Sequence, residues 1–250
     1  MQHITIHRSI TDTVHEGEYK GQKCVLKISD IADEYDSSRL TGTTNILLTL
    51  AGTAAPRVFG TLYEPPRETL VLEYIPGNDI CDITDISICD ARRWCQEIAE
   101  GVAAFHARGI VHNNLKLSNI RHDGNRIVFL SFGSAYDVRY WELMKSFDLK
   151  HEYYSTEAFD AERDRLKSFL DASSLLCAPS ECDLDDSITH PGSFCLQREY
   201  RYLVTRCLIP LLEQAGDTAG VLMMRTLKEA DLPVIVSSVQ RLARLARLAC

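Results

Sequence analysis

The stretch GIVHNNLKLSNIRHDGNRIVFLSFGSA, from Gly109 to Ala135, places Lys116 and Asn119 on one short segment. A turn follows at His122-Asp123-Gly124-Asn125, and then an apolar run that ends in Phe132-Gly133. A loop, a tight turn and a strand in that order can aim several side chains at one point. The chemistry such a point suits is phosphoryl transfer. That reaction asks for a group to take or orient the nucleophile's proton, ligands that hold magnesium against the phosphates, and a cation on the phosphates. Lys116 and Asn119 fit two of these roles. Asn114 and Ser131, on the same stretch, are neutral.

The elements that must position this segment are legible on both sides of it. Residues 3–7 alternate as a strand, and VHEGEYKGQKCVLKI predicts two strands joined around Lys20-Gly21-Gln22. TGTTNILLTLAG predicts a helix ending at Gly52, where glycine suits the C-terminal cap. PRVFGTLYEPPRETLVLEYI predicts a second hairpin with its turn at Pro65-Pro66. The period then changes. Asp90 is a candidate cap for ARRWCQEIAEGVAAFHARG, in which Trp94, Ile98, Val102 and Phe105 share one face and Gly109 lies just past the end. Short strands follow in IVH, NIR and RIVFL. Beyond about residue 155 the pattern is mainly helical, most clearly in AERDRLKSFLDASSLL, REYRYLVTRCLIPLLEQA and VSSVQRLARLARLA.

With those pieces in order, the chain resembles the eukaryotic protein kinase family. His112, Asn113, Asn114, Leu115, Lys116, Leu117, Ser118 and Asn119 match the family's His-Arg-Asp-Leu-Lys-x-x-Asn, and Ser131-Phe132-Gly133 matches its Asp-Phe-Gly. Upstream, Val25-Leu26-Lys27 resembles the strand whose lysine binds the phosphates. LVLEYIPG, Leu70 to Gly77, resembles the strand and hinge that hold the adenine ring, with Leu72 near the gatekeeper position. The resemblance implies an α+β, two-lobed kinase-like fold in a single domain over residues 1–250. A small antiparallel sheet lobe (1–76) precedes a mainly helical lobe (77–250), and the lobes divide near 76–82. It also implies site roles. Asn114 and Lys116 take the catalytic positions, Lys27, Leu72, Glu73 and Ile75 the nucleotide positions, and Asn119 and Ser131 the metal positions.

The departures from the family pattern bear on chemistry. Asn114 stands at the place of the aspartate that accepts the substrate proton, and an amide has no useful basicity; losing a general base costs about 10²–10⁴-fold in rate. Ser131 stands at the place of the magnesium-binding aspartate, and a neutral hydroxyl is a poor ligand for that hard cation. Asn113 replaces the arginine that pairs with a phosphorylated activation loop. HRSITDT, between the first two strands, has no glycine with which to bring backbone amides to phosphate; Gly17 and Gly21 read as strand and turn residues. The helix TGTTNILLTL carries no glutamate to pair with Lys27, and Glu34 falls in a loop-like stretch. APSE at 178–181 is misspaced for the family's Ala-Pro-Glu. Asp137 is the nearest carboxylate to the metal loop and reads as a solvated loop residue or cap.

Outside this site the features read as structural. His112 is expected to brace the loop, and Trp94 and Trp141 to pack in the core. Arg241, Arg244 and Arg247 recur every three residues beside Leu242, Leu245 and Leu248, as a last helix packing leucines inward. ECDLDDS lacks the glycine and terminal glutamate of a calcium loop. A net charge of -8 argues against nucleic acid as the main partner. MQHITIHRSITDT has no signal-peptide pattern, and no apolar run reaches the roughly 20 residues of a membrane span. The expected location is cytoplasmic. Nine scattered cysteines are expected to be reduced thiols. Together these readings predict a pseudokinase, a binding or regulatory module working through a protein partner, with ATP held weakly or not at all and magnesium poorly supported. The alternative is a low-rate or atypical ATP-dependent phosphotransferase of the serine/threonine kinase type.

Overall fold

The computed structural model describes residues 4–138, 199–228 and 230–247. Trp141, AERDRLKSFLDASSLL, APSE, ECDLDDS and Leu248 lie outside these residues. Two compact units are present: Met1–Tyr136 with Gln197–Cys250, and Asp137–Leu196. Apart from Asp137 and Val138, the described residues belong to the first.

Five antiparallel strands open the chain: β1 (Ile4–Ser9), β2 (Val14–Tyr19), β3 (Gln22–Asp30), β4 (Val58–Glu64) and β5 (Arg67–Glu73), in the spatial order β1-β2-β3-β5-β4. The β2–β3 turn is built on Lys20 and Gly21, with φ of 51° and 76°. Two successive left-handed residues make the hairpin turn whose twist matches the strands. Gly17 answers a different need: a Cβ there would stand 2.3 Å from the Thr5 carbonyl oxygen of β1. It is a strand residue that permits close pairing. Alternation sorts β5 between two cores. Leu70 joins the main core, while Val71 packs with Tyr19, Cys24 and Leu26 on the other face.

Helix α1 spans Glu34–Thr49, so it begins seven residues before the expected start at Thr41. Its first turns are polar and have no apolar period to announce them. Thr43, Thr44 and Thr49 each return a hydroxyl to the carbonyl four residues back, which lets a threonine-rich segment remain helical. Leu40, Leu47 and Leu50 then fall on one buried face. Gly52 is left-handed, as expected of the cap region.

Helix α2 (Ile88–His106) also starts earlier than predicted. Ser87, not Asp90, is its N-cap: the Ser87 hydroxyl accepts from the Asp90 backbone N–H at 3.0 Å. Trp94, Ile98, Val102 and Phe105 are all buried, as their spacing predicts. The short strands β6 (Asn78–Asp79), β7 (Ile110–Val111), β8 (Ile120–His122), β9 (Ile127–Phe129) and β10 (Tyr136–Asp137) complete the sheet elements. β6, β8 and β9 form one antiparallel sheet.

Helix returns over 199–214, with a π-helical segment at Leu203–Leu208 followed by α3 (Ile209–Gln214), then α4 (Thr218–Arg225) and α5 (Leu232–Arg247). α5 lies along α2 and buries Ile235, Val239 and Leu242, while Arg241 and Arg244 face solvent. The inward packing expected of this segment holds there, although Leu245 is 53% exposed. Cys24, Cys81, Cys95 and Cys207 are free thiols, and burial raises the pKa of Cys95 and Cys207. Cys89 corrects the expectation of reduced thiols throughout, because it is disulfide-bonded. Sequence spacing gives no sign of which cysteines meet in space. No helix of the described residues is long and apolar enough to cross a membrane.

Candidate active site

The loop after β7 is held from below by a buried histidine. His112 is fully buried and lies 2.8 Å through Nε2 from the Leu130 carbonyl oxygen. Its Nδ1 accepts from the Asn114 backbone N–H at 3.2 Å. Only the neutral ring with its proton on Nε2 satisfies both contacts. Burial, which lowers the pKa of His112, favours the same form. His112 therefore braces the loop, as its sequence context predicts.

Leu130 is tied from its other side too, since its N–H donates to the Asn119 carbonyl oxygen at 2.7 Å. Both backbone groups of Leu130 are thus engaged by the loop, and Ser131 follows directly. Ser131 is exposed and left-handed, at φ 64° and ψ 49°. A non-glycine residue rarely holds this conformation. Asn113 is left-handed as well, and its side-chain amide donates to the Ser134 carbonyl oxygen at 3.3 Å. The residue standing at the family's arginine position is thereby a tether between the two motifs. Asn119 is buried and donates through Nδ2 to the Asn114 carbonyl oxygen at 2.8 Å. Lys116 is exposed on the same loop. The structure thus gathers Asn114, Lys116, Asn119 and Ser131 on two connected loops.

The packing beneath is aromatic. Phe132 is buried, 4.7 Å from the His112 ring and 5.6 Å from Phe105, edge to face in both cases. Phe105 meets Phe129 at 5.0 Å in the same manner. Helix α2 therefore fixes the strand before Ser131 and the Phe-Gly pair after it.

Two contacts were not legible beforehand. Glu199 is buried at 2% exposure, accepts from the Asn113 backbone N–H at 2.9 Å and lies 2.5 Å from His106 Nε2. It anchors the loop to a helix more than eighty residues later, yet in sequence it is one acidic residue in a helical run. The second is Arg39, on the part of α1 that the predicted boundary left out. Its Nε donates to the Gly133 carbonyl oxygen at 3.1 Å. A Cβ added at Gly133 would stand 3.1 Å from Arg39 Nη2 and 3.4 Å from Lys27 Nζ. The strand lysine and an arginine of α1 thus converge on the Phe-Gly turn. Glu34 sits in the first turn of α1 and not in a loop, a correction that follows from the earlier helix start.

At the positions expected to hold adenine, Leu72 and Glu73 are half-buried and Ile75 is buried. The Glu73 carboxylate is taken up by Arg57 and Arg126, each at 3.1 Å. The Ile75 carbonyl oxygen accepts from Arg121 Nη1 at 3.0 Å, and the same guanidinium pairs with Asp79. These contacts fix the backbone of the segment after β5. Asp137 lies in β10. Among the described residues no group of three or more His, Cys, Asp or Glu is placed to hold a metal ion.

The protein kinase domain model matches residues 14–178, and the chain belongs to that family. The antiparallel sheet followed by a helical region accords with the kinase-like fold. Curated relatives match over shorter spans. Serine/threonine-protein kinase ssp1 of Schizosaccharomyces pombe is 33% identical over 72 residues, which are 27% of this chain and 11% of that protein. A probable bifunctional tRNA threonylcarbamoyladenosine biosynthesis protein of Methanothermobacter thermautotrophicus is 26% identical over 130 residues, 48% of this chain and 23% of that protein. Kinase suppressor of Ras 2 of Homo sapiens is 27% identical over 79 residues, 30% of this chain and 8% of that protein. The chain spans less than a quarter of the length of each of these relatives.

Proposed function

We propose that this chain is a pseudokinase: a two-lobed kinase-like domain, 1–76 and 77–250, that acts as a binding or regulatory module in the cytoplasm, with Mg-ATP held weakly or not at all. The observation that carries this reading is the pair of neutral side chains, Asn114 and Ser131, on two loops that His112, Asn113 and Asn119 tie together. Family members in general use ATP with magnesium. The donor set here does not fit that ion. Ser131 offers only a neutral hydroxyl and Asn119 a neutral amide oxygen, its Nδ2 donating to Asn114, so neither supplies the carboxylate that this hard cation favours. The β1–β2 connection, residues 10–13, has no glycine to cradle phosphates. The likeness to kinase suppressor of Ras 2, a protein named for its effect on another protein, supports action through a protein partner.

A second reading, a low-rate phosphotransferase, draws on Lys116 and Asn119 and on the likeness to a serine/threonine kinase. Preorganised charge can survive the loss of a base.

Thermal unfolding separates the two. With 1 mM ATP and 10 mM magnesium chloride, the pseudokinase reading predicts a rise in Tm below about 2 °C, since ligand near its dissociation constant adds about 0.4 kcal/mol. A rise of about 5–10 °C, the effect of ligand at a hundredfold excess over its dissociation constant, contradicts it.

A further inference from the structure

Cys89 stands in the first turn of α2, half-buried, and is disulfide-bonded. Cys24, Cys81, Cys95 and Cys207 are free thiols, so its partner within the chain is one of Cys177, Cys182, Cys195 and Cys250. The way α5 lies on α2 singles out one of these. Gln240 donates through Nε2 to Glu100 Oε1 at 3.0 Å, which pins the middle of α5 to α2. Burial raises the pKa of Tyr200, and the charges of Glu199 and of Asp231, just before α5, add to the rise. Tyr200 in turn packs against the His106 ring, 5.3 Å away, at the end of α2. The start of α5 therefore lies by the end of α2, and the two helices run antiparallel.

From the Gln240–Glu100 contact, Cys89 lies eleven residues back along α2, about 16 Å. Cys250 lies ten residues onward along the line of α5, about 15 Å. Eleven residues make three turns, so Cys89 falls on the stripe of Glu100 that meets α5. Seven residues make two turns, so position 250 continues the stripe of Ala243, which is 3% exposed. Facing positions on helices packed about 8–10 Å apart are within reach of a disulfide, whose Cα atoms are roughly 5.5–6 Å apart.

From this we infer that Cys89 and Cys250 form a reversible disulfide that clasps the end of α5 to the start of α2. In a reducing compartment such a pair responds to the redox state and is not a permanent staple. The bond closes by exchange with a low-molecular-weight disulfide such as glutathione disulfide. One cysteine thiolate attacks and releases one glutathione, and the second then displaces the other glutathione from the mixed disulfide. Two thiols lose two protons and two electrons, which leave as two molecules of glutathione. The clasp tightens α2, the helix whose Phe105 packs against the turn after Ser131.

The test is peptide mapping by mass spectrometry of the full chain, equilibrated in glutathione mixtures, alkylated and digested with trypsin without reduction. The expected product is peptide 68–92 joined to peptide 248–250, with Cys81 alkylated, and its loss in 5 mM reduced glutathione. Dithiothreitol is expected to lower the Tm of the oxidised parent by about 5–10 °C. Cys250→Ser is expected to melt within about 2 °C of the reduced parent and to be insensitive to dithiothreitol. Cys89 joined to Cys177, Cys182 or Cys195, or to a second copy of the chain, overturns the pairing. So does alkylation of both Cys89 and Cys250 in every mixture, or a Cys250→Ser variant that still loses stability in dithiothreitol. A bond that survives 5 mM reduced glutathione overturns its reversibility.

Discussion

Arg92→Ala is expected to lower stability by about 3 kcal/mol, a fall in Tm of about 6–12 °C. Arg92 on α2 grips Asp217 with both arms of its guanidinium, at 2.6 and 2.8 Å, and Asp217 is 3% exposed. The same carboxylate caps α4 by accepting from the Gly220 N–H at 3.0 Å. Removing the arginine leaves a buried charge with one backbone donor, and the cost is mostly that of the stranded carboxylate. The pH dependence follows from the direction of the shift. The Arg92 guanidinium, first among the causes, holds the Asp217 carboxyl below the ordinary aspartate range. A folded pKa depressed in this way gives stability that is present above the unfolded value of about 4 and is lost as pH falls through the folded one. Melting curves of parent and variant should therefore differ most near neutral pH and converge in acid below about pH 4. A difference under about 1 °C at pH 7 would contradict the account of this pair.

Phe105→Ala is expected to cost about 4 kcal/mol. Phe105 is fully buried, and its edge-to-face contacts with Phe129 and Phe132 hold both sides of the turn at Ser131. Truncation opens a cavity that the Phe129 and Phe132 rings and His112 cannot close without moving the loop. Phe105→Leu keeps most of the volume and should cost about 1.5 kcal/mol or less. Urea denaturation of both variants measures the difference. Equal losses would mean that the filled volume matters little and that the aromatic contacts themselves carry the cost.

Much of this was legible in the sequence because local rules and tertiary packing agree. The Lys20-Gly21 turn, the buried face of α2 and the strands around residues 110–129 all follow from turn chemistry and period alone. The start of α1 was not legible. Polar residues from Glu34 to Ser38 give no hydrophobic period, and the threonines after them favour other structures until their hydroxyls find carbonyls within the helix. Losing that first half of α1 also hid Arg39, whose Nε donates to the Gly133 carbonyl oxygen. Ser87 was passed over as a cap in favour of Asp90, which in fact supplies the N–H that Ser87 accepts. Glu199 was hidden for a different reason: its role depends on a contact with Asn113 across the fold, and no local pattern marks it. The site residues on the two loops were legible as a set, since Asn114, Lys116, Asn119 and Ser131 sit at fixed offsets from His112 and Phe132. What holds them, the paired backbone contacts of Leu130, became visible only in the fold.

The most direct test of the central claim is transfer of labelled γ-phosphate from ATP, to the chain itself and to generic protein substrates, with magnesium or manganese present. Parent protein is compared with Lys27→Ala, and both with Asn114→Asp combined with Ser131→Asp. A pseudokinase predicts that the parent shows no transfer above the Lys27→Ala background. Transfer by the parent that Lys27→Ala abolishes would contradict it and make the chain a working phosphotransferase.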